Sequence, residues 1–154
     1  MKKGKLVLAN FDARISNITM KPKNKATKVV FTSKMYDVSS DENETVKIVF
    51  SQVAAIDFRI NYFDNMIGAE ALGLYKIEDK SFVEELVREI FERRKEIYLL
   101  EGNYDYDEDE PNDMLNVMDL DGSFMQDINS YSAYVQNVDA GVYIVVAKDM
   151  QVVG

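Results

Sequence analysis

The chain has 154 residues, 47% of them hydrophobic, and it carries a formal net charge of −9. This length and composition predict one packed domain spanning 1–154, which excludes an intrinsically disordered protein. The sequence lacks cysteine and histidine, which excludes disulfides, thiolate or histidine zinc sites, and catalytic arrangements that need either residue.

The charge is unevenly distributed along the chain. Residues 1–30 contain eight basic residues and one acidic residue, whereas residues 101–127 contain ten acidic residues and no basic one. The net negative charge disfavours binding to nucleic acid or an anionic membrane and favours a basic protein partner. No apolar run approaches the ~20 residues of a membrane helix, and the start lacks a signal-peptide core, so we expect a cytoplasmic protein.

Short segments rich in β-branched and aromatic residues predict strands in the N-terminal part of the chain. Val46, Ile48 and Phe50, for example, fall on one side of their segment, which is the alternation of a half-buried antiparallel strand. The predicted strands are 5–11, 13–20, 28–38, 45–50 and 55–63.

Two glycines after these strands have the spacing of a phosphate-binding loop. Gly68 and Gly73 would frame it, but Leu74 and Tyr75 stand where such a loop needs Lys and then Ser or Thr. We therefore predict a turn before a strand and not a nucleotide site.

The next segment predicts one amphipathic helix at about 82–98. Its apolar residues recur at helical spacing, and basic residues near its C-terminal end suit the helix dipole. Ser81 and Glu84 form the pattern of a capping box at its start. Two surface ion pairs are predicted at i,i+4 spacing, Glu84 with Arg88 and Glu89 with Arg93.

The acidic connection 101–127 follows the helix. After it, two strands are predicted, joined near Gly141, which tolerates the positive φ of a tight turn. The order of elements predicts an α+β fold, a mainly antiparallel sheet or half-barrel with one helix and a C-terminal hairpin.

The stretch GNYDYDEDEPND, residues 102–113, has three interpretations. The first interpretation is a solvated, self-repelling and mobile loop, the second is an irregular calcium site, and the third is a docking surface for a basic protein. Regular calcium loops starting at Asn103 or Asp105 lack their glycine and their closing glutamate. Tyrosines between carboxylates support docking, because aromatic rings supply burial and charges supply steering. The predicted partner-binding residues are Tyr104, Asp105, Tyr106, Asp107, Glu108, Asp109, Glu110 and Asp113.

The lysines of the N-terminal strands are interpreted as the outer face of edge strands. In that position they discourage aggregation between sheet edges. Binding of RNA is not favoured, because no aromatic stacking positions are arranged with these lysines and the whole chain is acidic.

Three segments between residues 46 and 153 carry a family resemblance. VKIVFSQVAAIDFRINYF, YKIEDKSFVEEL and SYSAYVQNVDAGVYIVVAKDMQVV resemble, in this order, segments of small acidic bacterial immunity and immunity-like proteins of polymorphic toxin systems. Related sequences often have His-Tyr at the opening of the last hairpin, where this chain has Ser130 and Tyr131. Only Tyr131 is therefore carried over, as a packing residue. The resemblance implies a non-enzymatic cytoplasmic protein that binds and blocks a toxin, often a basic nuclease.

We therefore predict a non-enzymatic protein-binding module that docks on a basic partner through its acidic segment, with no catalytic residue, metal ligand or cofactor. Two alternatives stay open. One is a protein that binds calcium or a small ligand. The other is a self-associating structural protein, in which the basic strands of one copy meet the acidic segment of the next.

Overall fold

The computed structural model describes residues 4–9, 13–23, 26–37, 42–60, 70–100, 109 and 123–154. They form a seven-stranded antiparallel sheet and one long helix, so the protein is an α+β protein that is mostly sheet. The strands are β1 (Lys5–Leu8), β2 (Ala13–Lys23), β3 (Ala26–Asp37), β4 (Glu42–Ile60), β5 (Ala71–Ile77), β6 (Ser132–Val138) and β7 (Gly141–Val153). The helices are α1 (Lys80–Leu100) and the single turn α2 (Ser123–Gln126), followed by a 3-10 turn at Ile128–Ser130.

The strands lie side by side in the order β1-β5-β6-β7-β4-β3-β2. The predicted C-terminal hairpin is formed by β6 and β7, with Val138 opposite Gly141 and a φ of +148° at Gly141. The turn expected between Gly68 and Gly73 is wrong for Gly73, which lies inside β5, while Gly68 falls outside the described residues.

The sheet has an apolar core on each face, and the core on the second face is confined to α1 and the strands beneath it. On one face, buried and partly buried aromatic rings meet edge to face at centroid distances of 4.9 to 6.1 Å, a favoured geometry for such pairs. On the other face, Val83, Leu86 and Val87 of α1 pack on strands β6 and β7. The aromatic residues of the first core are Phe31, Phe50, Phe58, Tyr134 and Tyr143.

The helix α1 begins at Lys80, two residues before the predicted start. The Asp79 carboxylate accepts hydrogen bonds from the backbone N–H of Ser81 at 3.0 Å and of Phe82 at 3.3 Å. The predicted capping box beginning at Ser81 is therefore wrong, because Asp79, two residues earlier, is the N-cap and Ser81 lies inside the first turn of the helix. None of the helices in the described part of the chain is long and apolar enough to cross a membrane.

The strand β4 is a single strand of 19 residues where the sequence predicts two. Two irregularities keep its apolar side chains on one face. Gln52 has a φ of +53°, and across it the residues of the aromatic core change from Phe50 to Val53. A bulge between Val53 and Ala55 then shifts the core position to Ile56. The two shifts cancel, so the strand continues without turning its apolar side outward.

We expect Gln52→Gly to raise the free energy of unfolding by about 0.5 kcal/mol, because relief of the left-handed conformation exceeds the extra backbone entropy of glycine. Urea unfolding measures the change. The matched control is Gln151→Gly, at an exposed glutamine in extended backbone of β7, which should lower stability. Equal losses in both variants would contradict a cost at Gln52.

Candidate functional site

The predicted partner-binding residues lie almost entirely outside the described part of the chain. Of the eight, only Asp109 is described, and the other seven, Tyr104 to Glu108, Glu110 and Asp113, are not. The candidate site is therefore built from the described elements that flank the acidic segment, α1 on one side and α2 with the following turn on the other.

The helix α1 carries a stripe of exposed carboxylates that leads toward the acidic segment. Their spacing of four, three and four residues places them on one side of the helix. The charge is only partly balanced, because Lys95 Nζ lies 3.6 Å from the carboxylate of Glu92, and Arg59 lies 3.7 Å from that of Glu89. The residues of this acidic stripe are Glu85, Glu89, Glu92 and Glu96.

The other end of the acidic connection is tied to the sheet. Asp127 pairs with Lys148 of β7 and accepts a hydrogen bond from the Ser130 hydroxyl at 2.7 Å. The Lys148 ammonium and the Ser130 hydroxyl lower the pKa of Asp127. The same ammonium lies 5.4 Å from the centroid of the Tyr131 ring, which packs against the helix-side core. Tyr131 is thus a packing residue, and Asp127 is an acid already paired within the molecule.

A nearly buried carboxylate, Asp57 of β4, joins the sheet to α1. It is 8% exposed, and its Oδ2 accepts hydrogen bonds at 2.8 Å from Arg59 Nε and from a terminal nitrogen of Arg93. Burial raises the pKa of Asp57, but the hydrogen bonds and charges of Arg93 and Arg59 outweigh it and leave the pKa lowered. A carboxylate held ionised by two guanidinium groups is suited to cross-linking and not to proton transfer.

Of the two ion pairs predicted on α1, one forms and the other does not. Glu84 and Arg88 form theirs, at 3.4 Å. Arg93 reaches Asp57 instead of forming an ion pair with Glu89, because a buried carboxylate without a partner costs far more than an exposed one.

The described residues contain no group of three or more acids that could hold a metal ion. A cavity of about 260 Å³ lies beside the first turns of α1, and its lining residues are Ser81, Glu84, Glu85 and Arg88. Arg88 is already paired with Glu84, and the Ser81 hydroxyl donates a hydrogen bond to Asp79. These polar groups of the cavity are therefore already engaged within the protein.

The outward side of β2, β3 and β4 forms a cationic face that the sequence alone did not reveal. Lys21 lies directly opposite Lys28, and Arg14 lies directly opposite Lys34. Lys47 stands opposite Thr32 of β3. The interpretation of the N-terminal lysines as edge protection fits Lys5 in β1 and Lys21 in β2, because both are edge strands, but it is wrong for Lys28, which lies in the interior strand β3. We call Arg14, Lys21, Lys28, Lys34 and Lys47 the cationic face.

Comparison of the chain with protein-family models, with curated proteins and with solved structures finds no match.

Proposed function

We propose that this protein is a non-enzymatic, cytoplasmic, bacterial protein-binding module of the immunity-like kind, which docks on a basic protein through its acidic segment 102–113. The observation that carries the proposal is the composition of 101–127, ten acidic residues and no basic one, with Tyr104 and Tyr106 set between carboxylates. Charges of one sign attract a basic partner over a distance, and tyrosine rings supply apolar area once it arrives. The resemblance of residues 46–153 to immunity proteins supports the same function.

The acidic stripe of α1 supports this proposal. Its four exposed glutamates stand immediately before the acidic segment in the chain, so their field adds to that of the segment. Asp127, in contrast, is paired with Lys148 and contributes little to attraction. We therefore place the docking surface toward the α1 end of the connection.

We also infer that the sheet curls into a half-barrel. Arg14 in the edge strand β2 forms an isolated antiparallel bridge with Glu70, the residue before β5. The strands β2 and β5 are far apart in the order of the sheet, so a flat sheet would not bring them together. Strong curvature of this kind is typical of sheets with bulges, and β1, β2, β4 and β5 each contain one irregularity in register.

The test neutralises the acidic segment and measures association with a basic partner. We expect the gene beside this one to encode a protein with a basic C-terminal domain, and that domain is the partner to immobilise. The variant should associate about tenfold or more slowly, and the wild-type rate should fall as salt is added. The five substitutions are Asp105→Asn, Asp107→Asn, Glu108→Gln, Asp109→Asn and Glu110→Gln.

A control variant has the same change in net charge at exposed acids elsewhere. If docking depends on the segment, this control should associate at nearly the wild-type rate. Equal slowing in both variants would assign the attraction to the overall charge, and an unchanged rate in the segment variant would sink the proposal. The control substitutions, at exposed acids outside both the segment and the acidic stripe, are Glu44→Gln, Glu78→Gln, Asp79→Asn, Asp139→Asn and Asp149→Asn.

A further inference from the structure

We propose that the cationic face of β2, β3 and β4 is a second docking surface, and that its occupant is an extended, carboxylate-rich segment of a protein partner. This surface differs from the acidic segment in its place in the chain and in the sign of its charge. It therefore goes beyond the proposed function and gives the protein one surface for a basic partner and another for an acidic one.

The first argument is that the opposed positive charges of this face destabilise the protein when no partner is bound. Like charges directly opposite each other on neighbouring strands destabilise a sheet, and this face contains two such pairs, Lys21 with Lys28 and Arg14 with Lys34. None of the ion pairs formed among the described residues involves any residue of the cationic face. The nearest acid in register is Glu70, opposite Arg14 on the other side of β2. An anionic partner would remove the repulsion that the fold leaves in place.

The second argument is the position of the lysines within the sheet. Edge strands use lysine to prevent pairing with other sheets, and that purpose accounts for Lys21 in β2. It does not account for Lys28 and Lys34 in β3 or Lys47 in β4, since both of these strands are paired on two sides. Their backbone groups are already bonded, so their charges have no edge to protect.

The dimensions of the face favour an extended peptide. Lys28 and Lys34 stand six residues apart on β3, which corresponds to about 20 Å of strand, and the three strands are together about 10 Å wide from axis to axis. The positions between the two cationic pairs include Asn17 and Thr32, which are polar and offer further hydrogen bonds. In an extended peptide, carboxylates at alternate positions repeat about every 7 Å on one side, so a short segment matches the whole face.

The chemistry of the face also argues against nucleic acid as the occupant. Between the pairs Lys21–Lys28 and Arg14–Lys34, the outward positions of β2 and β3 carry no aromatic side chain on which a base could stack. The net charge of −9 repels a dense polyanion more strongly than it repels a short peptide with a few carboxylates.

The experiment uses the full chain and a fluorescently labelled peptide of alternating glutamate and threonine, long enough to cover β3. Binding is measured by fluorescence anisotropy at low and at physiological salt. We expect the wild type to bind the peptide in a salt-sensitive manner. The dissociation constant should be about tenfold larger for Lys28→Glu combined with Lys34→Glu. The melting midpoint of this variant should be equal to the wild-type value or higher, because both like-charge pairs become opposite-charge pairs.

The matched control is Lys5→Glu combined with Arg94→Glu, two exposed basic residues outside the cationic face. It changes the net charge equally and should weaken peptide binding much less. Failure of the wild type to bind the peptide, or equal weakening in both variants, would overturn the proposal. Tighter binding of a duplex DNA oligonucleotide of matched charge, lost in Lys28→Glu/Lys34→Glu, would overturn it in favour of nucleic acid.

The outcome is separable from that of the proposed function. The variants of the cationic face leave the acidic segment intact, so their association with the basic partner should not slow. A chain that binds the acidic peptide but no basic domain would support the second surface alone.

Discussion

Replacing Gly141 by alanine should lower the free energy of unfolding by more than about 3 kcal/mol. Gly141 has a φ of +148°, a conformation that L-residues with a side chain rarely adopt. A Cβ at this position would overlap the carbonyl oxygen of Arg59 in β4. The Arg59 carbonyl belongs to the backbone of β4, and Gly141 pairs with the next residue of that strand, Ile60. The two strands would therefore have to separate to make room for the added Cβ. Chemical denaturation followed by circular dichroism measures the loss.

Gly154→Ala is the control for this substitution. A Cβ at Gly154 meets nothing within 4 Å, so stability should not change. If Gly141→Ala were tolerated as well as Gly154→Ala, the close approach of β7 to β4 would not restrict the residue at position 141.

Replacing Asp57 by asparagine should cost about 2 kcal/mol, because the guanidinium groups of Arg59 and Arg93 lose the carboxylate between them. Both arginines are about half exposed, which keeps the cost below that of a fully buried pair. Glu89→Gln is the control. It removes a 3.7 Å contact to Arg59 from a side chain that is 58% exposed, and it should leave stability almost unchanged. Equal losses of stability in the two variants would mean that Asp57 does not stabilise the contact between the sheet and α1 more than an exposed ion pair does.

The pH dependence of stability gives a second measure of Asp57. Its pKa is lowered in the folded protein from the usual aspartate value of 3.8. The unfolded chain therefore binds the proton more tightly, so the stabilisation is complete above the unfolded pKa and is lost as pH falls through the folded pKa. Asp57→Asn should flatten the fall of stability below about pH 4. Some fall should remain, since Glu78 and Asp127 also have lowered pKa values.

The helix α1 was predictable because its signal is local. A period of 3.6 residues and the pair Glu84–Arg88 depend only on neighbours along the chain, and both are observed. Its start was misplaced because Asp79 and Ser81 are both good capping residues, and sequence does not show which of them faces the free N–H groups. The partner of Arg93 was missed because Asp57 lies 36 residues away.

The two interruptions of β4 explain why one long strand was predicted as two. Around Gln52 and Ala55 the alternation of apolar residues breaks, which is also what a turn would produce. The cationic face was missed for a related reason. The hairpin pair of Lys21 with Lys28 is nearly local, but the position of Lys47 beside β3 depends on register between strands, which composition does not encode. The docking prediction at 102–113 stays a prediction.

The central position of β7 has a consequence for synthesis of the protein. This strand follows every other described strand in the chain, yet it lies between β6 and β4. While residues 141–153 are still in the ribosome, β4 and β6 each have one row of backbone groups without their final partner. The sheet can therefore be completed only after β7 emerges. Until then β4 and β6 each expose an unpaired strand edge, and aggregation or chaperone binding at these edges competes with folding.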